Sequence, residues 1–314
     1  MIPAFQKVAI LGATGPTGEF MAREWRVRHV PIRVVSRNEN RLSGAFGSLA
    51  IERHPADILD PEATRRAVDG CDLVINCIGL PLEHIERHPQ TARNVAAAIR
   101  ETGGRCIHVS SYWSFIPIRR IPLTEDHPRQ GGGHVVEMRR RAEDILLDQG
   151  AAVVHLPDFY GPLVHTSILQ RALGEATEGK IVNWIGALDV GREHVYVPDA
   201  MNAVASMAFH EKAYGDRWIM AGAGPITLRE ILSIVEGYLG RQIPSRTAGP
   251  FLLRLMSVFS RDLKALRPLI PTYAGPLTYD GSKLRRLLGE IPITPYAQAI
   301  PETLRWLASN RAPD

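Results

Sequence analysis

The sequence predicts an α/β protein built on a mostly parallel sheet, and three observations carry that expectation. Short β-branched runs alternate with longer helical patterns through the first half, the rhythm of parallel strands joined by crossover helices. The runs are continuously apolar rather than alternating, as strands become when both sheet faces are covered. The chain has 314 residues and is 45% hydrophobic, enough to bury a large core.

In chain order, strands are expected at 8–11, 32–35, 50–53, 73–76, 106–109 and 152–155, with helices at about 16–28, 61–69, 86–101 and 134–149. Asp60-Pro61 opens the second helix with a capping aspartate and a proline at the first helical position. Gly161-Pro162 then breaks the rhythm, before a helix at about 165–177 and a strand from 181. HVYVPDAMNAVASMAF reads as a strand turning into a helix, with Asp199 near the turn. Thr227 and Glu230 form a capping box before ILSIVEGYLG, and SKLRRLLG and AIPETLRWLA add two short helices. The expected organisation is a sheet domain over 1–162, rejoined by strands from about 190–222, and a smaller lobe over 163–314. Prolines at 244–276 mark an irregular segment suited to a lid, which includes the apolar PFLLRLMSVF at 250–259.

Charge and cysteine usage exclude several classes. The net charge is +4, from arginines scattered along the chain. Only Arg139-Arg140-Arg141 clusters, and beside Glu143 and Asp144 it reads as a solvated helix face rather than a nucleic-acid patch. No apolar stretch reaches membrane-spanning length, and MIPAFQKVAI lacks the plan of a signal peptide. Cys71, Cys77 and Cys106 are odd in number and lie in or near apolar runs, which fits reduced thiols. The expected setting is cytoplasmic, with a small-molecule partner and a homodimer allowed. His84-x-x-x-His88 lacks the zinc-protease order and is followed by Pro89, so no metal is expected.

KVAILGATGPTGEF is the strongest signal. A strand runs into Gly12-x-x-Gly15-x-x-Gly18 and a helix opens behind it, so that Gly12, Thr14, Gly15, Pro16, Thr17 and Gly18 form a phosphate-binding loop. Gly12 serves the turn, Gly15 the close approach of backbone to pyrophosphate, and Gly18 the packing of helix on strand. The sheet is therefore expected to be Rossmann-like and doubly wound. At the end of the second strand, an acidic residue would select NAD. VVSRNENR offers Ser36 and Arg37 instead, with Arg41 one helical turn later, which favours NADP while leaving NAD open.

With these motifs in place, the chain resembles the extended and atypical short-chain dehydrogenase/reductases, the group that includes NAD-dependent epimerases and dehydratases. GATGPTG is similar to the family's glycine loop, and Asp57-Ile58 to its adenine contact. Cys77, Ile78 and Gly79 of NCIG resemble the loop beneath the cofactor. In IHVSSYWSF, counting back from Phe115 places the family's serine at Ser111. LPDFYGP, with Pro157 and Tyr160, resembles the segment flanking the nicotinamide, and GREHVYVPDA the later strand and its Asp199.

One part of the resemblance is missing. The family's proton donor is a tyrosine with a lysine four residues on, which lowers the phenol pKa and binds the ribose. This sequence has no tyrosine between Tyr112 and Tyr160, and no lysine between Lys7 and Lys180. Alignment on Ala142-Glu143 puts Val135 and Arg139 in the two slots; a shift by one puts His134 and Met138 there. His134, Tyr112 and Tyr160 stand as alternative donors, with Arg139 able to hold the ribose but not to release a proton.

Three functions follow. The first is an NAD(P)H-dependent reductase of a small hydrophobic molecule of specialised metabolism, bearing a carbonyl, imine or activated double bond. The second is a cofactor-binding sensor or assembly protein without turnover. The third is a nucleotide-sugar epimerase or dehydratase, in which Arg192 matches the family arginine that meets a substrate diphosphate.

Overall fold

The computed structural model describes residues 5–165, 167–249 and 269–310. Seven strands form the central sheet: β1 (Val8–Leu11), β2 (Ile32–Ser36), β3 (Glu52–Pro55), β4 (Leu73–Asn76), β5 (Arg105–Ser111), β6 (Ala152–Leu156) and β10 (Arg217–Ile219). Their order is β10-β6-β5-β4-β1-β2-β3, and every neighbouring pair is parallel. The chain leaves β1 toward β3 and returns on the other side at β4. The C-terminal ends of β1 and β4 therefore flank the switch point, where a crevice opens in doubly wound sheets.

β1 explains the continuous apolar runs. Val8 and Ile10 face one core, against Met21 and Trp25 of α1 (Pro16–Val27) and Met201 and Val204 of α7 (Val197–Met207). Ala9 and Leu11 face the other, with Ala67 and Val68 of α3 (Pro61–Val68) and Val95 and Ile99 of α4 (His88–Thr102). The second face is completed by Ala142 and Leu146 of α5 (His134–Asp148). Asp60 caps α3 by accepting from the Glu62 and Ala63 amides, as expected of its position before Pro61.

Two early elements depart from the sequence reading. β3 starts two residues later than expected, because a tight turn carries Leu49 and Ile51 and leaves an edge strand of polar residues. Glu52 there pairs with Lys7 and Arg33 instead of filling a core. The helix α2 (Glu39–Phe46) was not anticipated: only Leu42 and Phe46 are buried on it, too sparse a pattern to mark a helix.

Beyond β6 the chain builds a second core. β9 (Arg192–Tyr196) pairs in parallel with β7 (Asp158–Tyr160) and antiparallel with β11 (Pro225–Ile226). Of the strands expected to return to the main sheet at about 190–222, β10 does so beside β6, whereas β9 belongs to this second sheet. β8 (Val182–Ile185) pairs with β12 (Ser245–Ala248). Leu169 and Leu173 of α6 (Ile168–Thr177), Ile231 and Val235 of α8 (Leu228–Leu239), and Ile300 and Leu304 of the helix Tyr296–Ser309 pack around Tyr160, Tyr196 and Tyr296. The Thr227–Glu230 capping box opens α8. Asp199, in the first turn of α7, accepts from the Thr294 amide and hydroxyl and so anchors the entry to the last helix. The apolar 250–259 segment lies outside the described residues. No helix among the described residues is long and apolar enough to cross a membrane.

Candidate active site

The glycine loop is dictated by backbone contacts. Gly12 has φ +75°, and a Cβ there would come within 2.9 Å of the Cys77 carbonyl oxygen at the end of β4. A Cβ on Gly18 would meet the Gly12 carbonyl oxygen at 2.4 Å, so α1 packs directly on the loop. Gly15 differs: its nearest neighbour would be 3.5 Å away, which leaves room above it. Gly15 is also the N-cap of α1, with no side chain capping the helix and Pro16 in its first turn. The amides of Thr17 and Gly18 begin the helix, where backbone donors lack intrahelical partners and favour an anion.

The rim of this loop is polar. Thr14 Oγ and Ser36 Oγ are hydrogen-bonded at 2.9 Å, joining the loop to the end of β2. Arg41 donates to the Thr14 carbonyl at 3.2 Å, while Arg37 is exposed directly after β2, ahead of α2. Asn38 caps α2 and thereby fixes the turn that presents both arginines. Past β3, Asp57 is exposed and its carboxylate accepts from the Leu59 amide. Ile58 is buried, and its carbonyl accepts from Thr64 and Asn94, which hold this loop against α3 and α4. After β4, Asn76 Oδ1 accepts from the Ile78 amide, and Gly79 is exposed. Cys77 is buried with its thiol pushed up to about 12 by burial, opposed by a hydrogen bond to Thr17. It is a core residue rather than a redox thiol.

The other end of the crevice lies at β5. β1, β4 and β5 are adjacent, so Ser111 stands about 10 Å across the sheet from the loop, two strand spacings. Ser111 is partly exposed, and its hydroxyl accepts from the Trp113 amide at the start of a short 3-10 helix, Tyr112–Phe115. Its neighbour Ser110 turns inward and donates to the buried Glu143 of α5. Burial raises the Glu143 pKa, but His155, Arg129 and Ser110 outweigh it and hold the carboxyl at about 2.

α5 carries the two slots of the missing pair. Val135 is buried in an apolar cluster with Ile85 and Met138, against Leu82 and Trp113. Arg139, one turn on, lies over the Trp113 ring at 5.0 Å, and its Nε is buried without a partner. Arg140 is buried and donates to the carbonyls of Ser114, Gly131 and Ile116 at 2.6, 2.6 and 2.7 Å, clamping the loop before α5. Only Arg141 is exposed, paired with Glu137. The arginine triplet is therefore not the solvated face its composition suggested, because two of three guanidiniums turn inward. His134 is exposed at the first position of α5, and no described residue holds its ring.

Facing Trp113 is a cluster that sequence reasoning did not assemble. Asp158 of β7 accepts from Tyr112 Oη at 3.2 Å and from Tyr273 Oη at 3.4 Å. Trp113 Nε1 donates to Tyr273 Oη at 3.0 Å. Arg192 of β9 pairs with Asp158 at 3.5 Å and donates to the carbonyls of Thr272 and Gly275. Burial raises the Asp158 pKa even against Arg192 and the two phenols. Asp158 and Arg192 lie in motifs that the sequence marked, whereas Tyr273, in the short helix Ile270–Ala274, falls in the proline-bearing 244–276 segment with nothing to single it out. Pro157 is buried next to Asp158. Tyr160 is not part of this cluster: its ring packs between Tyr196 and Tyr296 in the second core, and burial raises its pKa. No group of three or more metal-ligating side chains is placed to hold an ion among the described residues.

Fold and site together define a doubly wound α/β protein with a glycine loop before an uncapped helix and a second, aromatic and charged, cluster on the same sheet edge. The chain belongs to the NAD dependent epimerase/dehydratase family, whose model matches residues 8–220. Its fold is similar to that of UDP-glucuronic acid 4-epimerase from Bacillus cereus in complex with NAD, at TM-score 0.80 and 14% identity over 96% of this chain and 99% of that one. It is also similar to dTDP-glucose 4,6-dehydratase from Bacillus anthracis in complex with NAD, at 0.79 and 14%, covering 97% of each chain. The Bordetella bronchiseptica enzyme WbmH in complex with NAD+ matches at 0.78 and 16%, over 97% and 99%. Comparison with curated protein sequences finds no match.

Proposed function

We propose that the chain is a nicotinamide-dinucleotide oxidoreductase that prefers NADPH and reduces a carbonyl, imine or activated double bond on a small, apolar molecule. The observation that carries this reading is the contrast among the glycines: Gly12 and Gly18 are closed by backbone, while Gly15 is left open above an uncapped helix. Such a cradle fits a pyrophosphate. When bound, the dinucleotide supplies a hydride.

The chain's residues do the rest. The amides of Thr17 and Gly18 hold phosphate oxygens, and Asp57 and Ile58 border the adenine. Arg37, with Ser36 and Thr14 at its base, meets the ribose 2′-phosphate through its forked donors. Cys77, Ile78 and Gly79 form the floor, and Pro157 flanks the nicotinamide. Arg139 takes the lysine's place toward the ribose, and Ser111 orients the substrate oxygen. His134 and Tyr112 are the remaining donors of the sequence reading. Tyr112 is fully buried beneath Asp158, and His134 opens to solvent.

A second reading, a nucleotide-sugar epimerase or dehydratase, is favoured by the activities of the structural relatives. Against it, Arg192 is committed to Asp158 and to two carbonyls rather than open to a diphosphate. Oxidation of a sugar hydroxyl also needs a base, which an α5 without its tyrosine does not provide. The test is a turnover screen: NADPH consumption, followed by absorbance, with aldehydes, ketones, enones and cyclic imines. Consumption with one of these classes is expected. Release of a keto-sugar from UDP- or dTDP-hexoses, with no NADPH consumption, would favour the second reading; binding without turnover of either would favour a sensor.

A further inference from the structure

The family's proton donor is absent from α5, yet the cation slot one turn on is filled and aimed. Arg139 faces the Trp113 ring at 5.0 Å. Trp113 in turn donates its indole N–H to the Tyr273 oxygen, with the two rings perpendicular at 6.4 Å. The guanidinium of Arg192 lies over the Tyr273 ring at 5.4 Å. Ser111, Trp113, Asp158 and Tyr273 are all partly exposed, whereas Tyr112 and Tyr279 behind them are buried. One partly exposed tyrosine therefore meets Trp113 beyond β5, with a donor on its oxygen and the Arg192 guanidinium over its ring.

We infer that Tyr273, delivered from the C-terminal lobe, is the catalytic proton donor in place of the tyrosine missing from α5. This rests on the reductase reading above. In carbonyl reduction, the substrate carbon takes a hydride, with its electron pair, from the reduced nicotinamide. The oxygen takes the Tyr273 hydroxyl proton, giving the alcohol and the oxidised cofactor. The phenolate accepts from Trp113 Nε1 and is reprotonated from solvent. Burial, together with Asp158 and Tyr112, raises the Tyr273 pKa well above the ordinary phenol. The group therefore stays protonated at neutral pH, and its proton passes only to the more basic alkoxide that hydride transfer leaves on the substrate oxygen. Asp158, which accepts the Tyr273 hydrogen bond in the resting site, and Trp113 are positioning residues.

The test uses the full-length chain labelled with 3-fluorotyrosine, whose Tyr273 resonance is the one lost in Tyr273→Phe. Saturating NADP should shift that resonance and leave the exposed Tyr238 of α8 unmoved. In unlabelled protein, Tyr273→Phe should bind NADPH as wild type does but reduce an aromatic aldehyde about a hundredfold more slowly in kcat, with KM little changed. Tyr238→Phe should behave as wild type. An unshifted Tyr273 resonance in cofactor-saturated protein, or equal kcat in Tyr273→Phe, would overturn the assignment. If wild type binds no dinucleotide at all, it is the underlying reductase reading that fails.

Discussion

The two ends of the crevice are built by different means. At the β1 end, one contiguous stretch makes the site from backbone: a positive φ at Gly12, an open Gly15 and a helix left uncapped. At the β5 end, side chains from five separated segments converge: Trp113, Arg139, Asp158, Arg192 and Tyr273. At the first end, Gly12 and Gly18 cannot take a side chain without disturbing the fold. The second depends on tertiary packing to bring its side chains together.

Acid should have the largest effect. His88 of α4, His108 of β5 and His194 of β9 are buried and held mainly by burial at about 3, 4 and 3. Their folded pKa values are depressed, so their contribution is fully present above the unfolded value near 6.5 and is lost as pH falls from there toward 4 for His108 and toward 3 for His88 and His194. Each contributes up to about 1.4 kcal/mol per pH unit in that window. Urea unfolding at pH 7.5 and pH 5 should show the loss; equal stability at both would mean that these rings are not buried neutral.

Next in size is the closed part of the loop. Gly12→Ala combines a strained φ with contact against the Cys77 carbonyl, and should cost roughly 3 kcal/mol of stability. It should also abolish NADPH binding. Arg37→Ala should leave stability unchanged and weaken NADPH by about 2 kcal/mol, with NADH unaffected; equal losses for both would place Arg37 away from a 2′-phosphate. The smallest change is the most discriminating. Gly15→Ala should alter the urea midpoint little, since a Cβ fits there, yet weaken NADPH about tenfold by filling the space for the pyrophosphate.

How much the sequence revealed follows the same division. β1, α1, β2 and the glycine loop were legible because their determinants are local: apolar runs, glycine spacing and a proline at the first helical turn. α2 was missed because its buried face is two residues wide. β9 was expected in the main sheet because a strand's propensity says nothing about its partner. The arginine triplet looked solvated because periodicity does not show that carbonyls of the preceding loop await Arg140. Tyr160 was raised by its neighbouring motif, but the second core claims its ring. Tyr273 was invisible, since only the tertiary fold brings it to Trp113 across 160 positions.

The central claim is that the loop holds a dinucleotide and that the end of β2 selects the phosphorylated one. Calorimetric titration of the purified chain with NADPH and with NADH tests it most directly. One site, with NADPH bound more tightly than NADH, is the predicted result; binding of neither would contradict the account.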